Sequence, residues 1–86
     1  MKTWSDTDTI NAVPNLPLDP DGMNEARTEW ADIALATFMA RTHADQEDAV
    51  ADLITSLAHW CDRNGQDFDA EFARGRANYI SDTTLD

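Results

Sequence analysis

Apolar residues recur at helical spacing along three stretches of the chain, and no run alternates apolar and polar residues long enough to make a strand. The first stretch runs from about Pro20 to Thr42. There Met23, Ala26, Trp30, Ile33, Ala34 and Thr37 recur on one side, while Leu35 and Met39 fall on another with Phe38 between. The helix is therefore expected to be apolar over more than one face, as suits a central position or contact with a partner. Asp19 stands where it can cap this helix, with Pro20 at the favoured first position. The second stretch runs from about Ala44 to Arg63, with a regular stripe of Val50, Leu53, Ile54, Leu57, Trp60 and Cys61. Thr42 or Asp45 is its cap, and Asn64-Gly65 ends it, because glycine tolerates the left-handed backbone that follows a helix. The third runs from Phe68 to Ser81 behind Asp67 as cap, with Phe68, Phe72, Ala73, Ala77, Tyr79 and Ile80 as its apolar positions. Gly75 weakens it by up to ~1 kcal/mol relative to alanine.

The segments outside the helices have a different texture. Residues 1–18 are polar and Thr/Asp-rich up to Thr9 and are then punctuated by Pro14 and Pro17, with Pro20 just beyond. Spaced prolines favour extended backbone, so this segment reads as an extended or flexible arm whose Ile10, Val13, Leu16 and Leu18 can pack on the helical body. Residues 19–81 form the helical domain, and 82–86 are expected to fray. The expected fold is all-α, a small three-helix bundle with a Pro-containing extended N-terminal arm. At 86 residues it is one domain, burying only roughly 60–65% of its unfolded surface.

Charge changes the picture of what such a domain can touch. Seventeen acidic residues against six basic ones give a formal net charge of −11. Nucleic acid and anionic membranes both require a basic surface, and Lys2, Arg27, Arg41, Arg63, Arg74 and Arg76 are few and scattered. The natural complement is a protein partner with a basic surface. Many of the acids have a plain structural reason. Asp19, Asp21 and Glu25, then Asp45, Glu47 and Asp48, then Asp67, Asp69 and Glu71 cluster at the three helix starts, where the macrodipole favours anions by ~0.3–1 kcal/mol each. Asp6, Asp8, Asp82 and Asp86 lie in the tails. Glu29, Asp32, Asp52 and Asp62 sit inside helices, where neither reason applies, and with Asp48 they are the candidate partner-binding residues.

Other chemistry is sparse. Cys61 is the lone cysteine, which excludes an intrachain disulfide and Cys-rich zinc sites. It falls on the apolar stripe and reads as a buried thiol. His59 falls on the polar side of its helix with Asp48, Asp52 and Thr55, and reads as a surface histidine. His43 lies in the turn between the first two helices with no evident partner. No catalytic residue is assigned.

Two resemblances bear on function. Glu29-x-x-Asp32 on the first helix and Asp52 on the second, followed by Trp60 to Phe68, resemble the helix, glycine turn and next helix of the all-α nucleoside-triphosphate pyrophosphohydrolases of the MazG-like family. In that family, carboxylates from two helices hold Mg²⁺ against a triphosphate, and oxygen ligands suit that hard cation. The resemblance implies Glu29, Asp32 and Asp52 as metal ligands, in an active or degenerate enzyme. Asp32 replaces a glutamate of the pattern, and Ala49 stands where its second helix has another acid. The C-terminal half, through His59-Trp60-Cys61-Asp62-Arg63-Asn64-Gly65, Asp67-Phe68-Asp69 and Tyr79, resembles small acidic helical proteins of bacterial phages and mobile elements. That resemblance implies a bacterial host. No apolar run reaches the ~20 residues of a membrane span, and Lys2 is not followed by the apolar stretch of a signal peptide, so the expected location is cytoplasmic.

The leading expectation is a non-enzymatic acidic helical protein without a cofactor. It would bind a protein partner and inhibit a host nucleic-acid-processing or defence complex, such as CRISPR or restriction machinery, by mimicking nucleic acid. The alternatives are the Mg²⁺-dependent pyrophosphohydrolase and a homodimer that pools the apolar faces of its helices.

Overall fold

The computed structural model describes residues 15–85. Most of the expected N-terminal arm, residues 1–14, lies outside the described residues. Three helices make up the rest: α1 (Asn24–Thr42), α2 (Gln46–Arg63) and α3 (Phe68–Asp82). There is no strand among the described residues, so the all-α, three-helix expectation holds.

Local chemistry explains where each helix begins and ends. α1 starts four residues later than expected. Asp19 to Gly22 instead close a turn, with the Gly22 amide donating to the Asp19 carbonyl at 3.1 Å. Aspartate first, proline second and glycine last is the residue order that a β-turn favours, and Gly22 at φ 72° supplies the left-handed backbone that leads into the helix. Asp19 still serves the helix start, because its Oδ1 accepts the Asn24 amide at 3.2 Å. α1 stops at His43, which is left-handed at φ 63° and donates its amide to the Met39 carbonyl. Of the two candidate caps for α2, Asp45 occupies the cap position with no side-chain bond, while Thr42 Oγ1 accepts the Ala44 amide at 3.2 Å. α2 ends at Asn64-Gly65 as expected. Gly65 is at φ 70°, and the Cys61 carbonyl accepts the amides of both Asn64 and Gln66. Asp67 caps α3 by accepting the Ala70 amide at 3.1 Å.

The helices meet mainly at their ends. α1 turns into α2 through residues 43–45, and α2 into α3 through residues 64–67. The third corner brings the end of α3 back to the start of α1, where Asn24 Nδ2 donates to the Asp82 carbonyl at 3.0 Å. α3 thus extends one residue beyond the expected Ser81, and Asp82 is held rather than trailing. The result is an open ring with principal dimensions of 40 × 38 × 17 Å. Its thickness falls short of the ~20 Å of two packed helix layers. The radius of gyration is 14.8 Å, against about 11–12 Å for a compact chain of this size.

Little of the chain is buried. Among the described residues only Ala49, at 2% exposure, and Cys61, at 7%, are buried. Both are small side chains near the two ends of α2, where neighbouring backbones come close. At about 100° per residue, the side chains each helix offers at its two corners fall on one side of it. On α1 that side carries Asn24, Arg27, Leu35 and Phe38; on α2 it carries Ala49, Leu53, Leu57 and Cys61; on α3 it carries Phe68, Phe72, Tyr79 and Asp82. These are the inner sides of the ring. The expected α1 stripe is the outer side instead: Trp30 and Ile33 are 60% and 66% exposed, while Leu35, Phe38 and Met39 are half-buried. On α3, the Phe68 and Phe72 rings stack at a tilt with centroids 5.7 Å apart.

α3 has little tertiary burial, so its cap has more than usual influence on whether it forms. Asp67→Ala is expected to cost about 0.5–2 kcal/mol, read as a lower urea midpoint by far-UV circular dichroism. An unchanged midpoint would mean that α3 is held by its contacts and not by its cap.

Candidate functional site

The sequence-predicted acids do not form one constellation. Glu29 is exposed on α1. Asp32 is half-buried and lines a shallow groove at the α1/α2 corner with Leu35, Met39, Gln46, Ala49 and Val50. Asp48, Asp52 and Asp62 are exposed on α2, and the helical repeat places them with Thr55 and His59 on the side away from Leu53 and Leu57. None of the five forms an ion pair among the described residues. His59 is exposed and Cys61 buried, as their positions on the α2 wheel implied. Among the described residues no group of three or more His, Cys, Asp or Glu side chains is disposed to hold a metal ion. Glu29, Asp32 and Asp52 are therefore not gathered as such a set. No helix among the described residues is long and apolar enough to cross a membrane.

Among the described residues, the organised polar centre lies elsewhere, at the α1/α3 corner. Arg27 reaches back across the turn and grips Asp21 with both ends of its guanidinium, Nη1 to Oδ1 at 3.0 Å and Nη2 to Oδ2 at 2.8 Å. Its Nε lies 3.3 Å from Asp82 Oδ2 on α3. Asn24 completes the knot. It donates from Nδ2 to the carbonyls of Leu18 and Asp82, and its Oδ1 accepts from Arg27 Nη1 at 2.7 Å. The bidentate geometry suits a planar guanidinium against a carboxylate. Asp21, Asn24 and Arg27 are close in the chain, but no local pattern ties them to Asp82, which is far from them in sequence. Arg27 read as one scattered cation and Asp82 as a tail acid. The centre holds a corner of the ring, and its groups are all partnered, so it is structural.

The other notable surface is apolar. Val50, Leu57, Trp60, Phe72, Tyr79 and Ile80 are each about half exposed. Three of them lie on α2 and three on α3. All six residues belong to the apolar positions that the helical spacing of α2 and α3 picks out. The helical period shows that a face is apolar without showing what covers it.

Compared with known proteins, the chain matches no family model, no curated protein sequence and no solved structure.

Arg27 lowers the Asp21 carboxyl from 3.8 to about 2, chiefly through the paired hydrogen bonds and then through the Met23 amide, which donates to Asp21 Oδ1. A carboxylate whose folded pKa is depressed stabilises the fold above its unfolded pKa, and that contribution disappears as pH falls through the folded value. The window here runs from about pH 4 down to about pH 2. The pair is partly exposed, so the contribution is modest and weakens with salt. Asp21→Asn should flatten this part of the pH dependence of the urea midpoint. A wild-type slope that persists in the variant would place the acid sensitivity elsewhere.

Proposed function

We propose that this chain is a non-enzymatic helical module that works by docking its exposed apolar helix faces onto another polypeptide. The observation that carries this reading is the disproportion, among the described residues, between two buried side chains and the many large apolar ones left half open on all three helices. Apolar surface removed from water stabilises a complex by about 25 cal/mol per Å² before the costs of association. A ring with so little interior gains more from such cover than a compact domain would. The scattered positions of Glu29, Asp32 and Asp52 lend no support to magnesium-dependent pyrophosphate chemistry.

A second reading keeps the protein partner and changes the contact. Asp48, Asp52 and Asp62 share an exposed side of α2 with no cation paired to them among the described residues. That side, alone or with Glu29 and Asp32, would occupy a basic nucleic-acid channel of a host complex as a mimic.

Salt and two sets of substitutions separate the readings. An apolar dock persists as salt rises, whereas an electrostatic one weakens steeply. For complexes captured on the immobilised chain, Leu57→Asp or Phe72→Asp is expected to weaken binding at least ~10-fold, and Asp48→Asn with Asp52→Asn to leave it nearly unchanged. The reverse pattern, with release at high salt, would replace the apolar reading by the acidic one.

A further inference from the structure

The apolar faces need a cover that is present wherever the chain folds. We propose that this cover is a second copy of the same chain, laid across the open ring so that Leu57, Trp60, Phe72 and Tyr79 of each copy enter one shared core. The inference rests on the docking reading above and names its partner.

Three observations support the second copy as occupant. The first is area. Val50, Leu57, Trp60, Phe72, Tyr79 and Ile80 are each about half exposed. At about 100 Å² for each half-exposed large side chain, they leave roughly 600 Å² open. Spread over α2 and α3, this is as much apolar area as the largest single patch on a typical monomer, about 300–600 Å². With a polar rim added, it approaches the about 800 Å² that each partner buries in a standard interface.

The second is shape. The ring is 17 Å thick, whereas domains are normally two packed layers around one core. A second ring supplies the missing layer, and a two-fold axis lets one patch cover its own copy. The third is the placement of charge. Asp48, Asp52 and Asp62 lie on the side of α2 away from Leu53 and Leu57, so the inner side of α2 carries none of these acids. A basic partner would find its complement on the outer side of α2. The Leu53 and Leu57 side of α2 is matched by surface as apolar as itself.

The charge also gives the dimer a distinctive signature. Two copies each at −11 repel, and added salt screens that repulsion while leaving the apolar contact in place. Self-association should therefore tighten as salt rises. Sedimentation velocity of the full chain is expected to give twice the chain mass at micromolar concentration, and the thermal midpoint should rise with protein concentration. Leu57→Asp with Phe72→Asp should raise the dissociation constant at least ~30-fold. Asp52→Asn, on the outer side, should leave it unchanged or lower it. Because the double variant could unfold, the wild-type chain supplies an independent reading. A helical wild-type chain of monomer mass at about 100 μM, with a concentration-independent midpoint, overturns the proposal. Self-association that weakens with salt or ignores both substitutions overturns it too. A chain that stays monomeric yet binds a different protein through Leu57 and Phe72 overturns the dimer and leaves the docking reading standing.

Discussion

Each helix of this chain meets its neighbours mainly at its ends, and most of what is unusual about the molecule follows from that constraint. Two of the corners are short turns, at residues 43–45 and 64–67, and the third is closed by Asn24 and Arg27 against Asp82. A helix buries its apolar stripe only against another surface. Helices that touch at corners cover the ends of their stripes and leave the middles open. Ala49 and Cys61 are buried because they sit near corners, and Leu57, Phe72 and Tyr79 stay half exposed because they do not. Small side chains at the corners let the backbones approach closely enough to form the ring.

The polar chemistry is fitted to the same geometry. The third corner has no turn to hold it, and its closure depends on the Asp21–Arg27–Asp82 chain of charges and on Asn24. Ion pairs at such exposure contribute little each, so the ring is weakest where it is not covalently continuous. On α3 the ion pair between Arg74 and Glu71 lies along the helix and braces it locally without linking it to a neighbour. Most of the acids flank helix starts, where they stabilise the helices individually. They support the elements more than the assembly.

The elements were legible in the sequence because their signals are local. Asp67 as a cap, Gly65 as a stop and the 3.6-residue repeat each act within a few residues, and the structure places all three as expected. The start of α1 was misplaced because Pro20 suits both the first position of a helix and the second of a β-turn, and Gly22 two residues later decides for the turn. The arrangement was less legible. Trp30 and Ile33 share an apolar spacing with no less regularity than Leu35 and Phe38, yet the ring turns the second pair inward and leaves the first outside. Nor could spacing reveal that Arg27 meets Asp82. Of the candidate site, the acids were located correctly along the helices, and their grouping in space was beyond what a helical wheel can state. A wheel orders residues around one axis and says nothing of the angle between two.

Acidity and open apolar surface occupy opposite sides of α2. An apolar ring face on a neutral protein would invite association in many registers. On this chain the outer side of α2 carries Asp48, Asp52 and Asp62, and on α1 Glu29 lies beside the exposed Ile33. Any approach that brings an outer side of one copy to another meets like charge, at a cost that grows as solvent is excluded. The side of α2 that carries Leu53 and Leu57 bears none of these three acids. A net charge of −11 that points toward a basic partner thus also disfavours any contact that brings two acidic sides together.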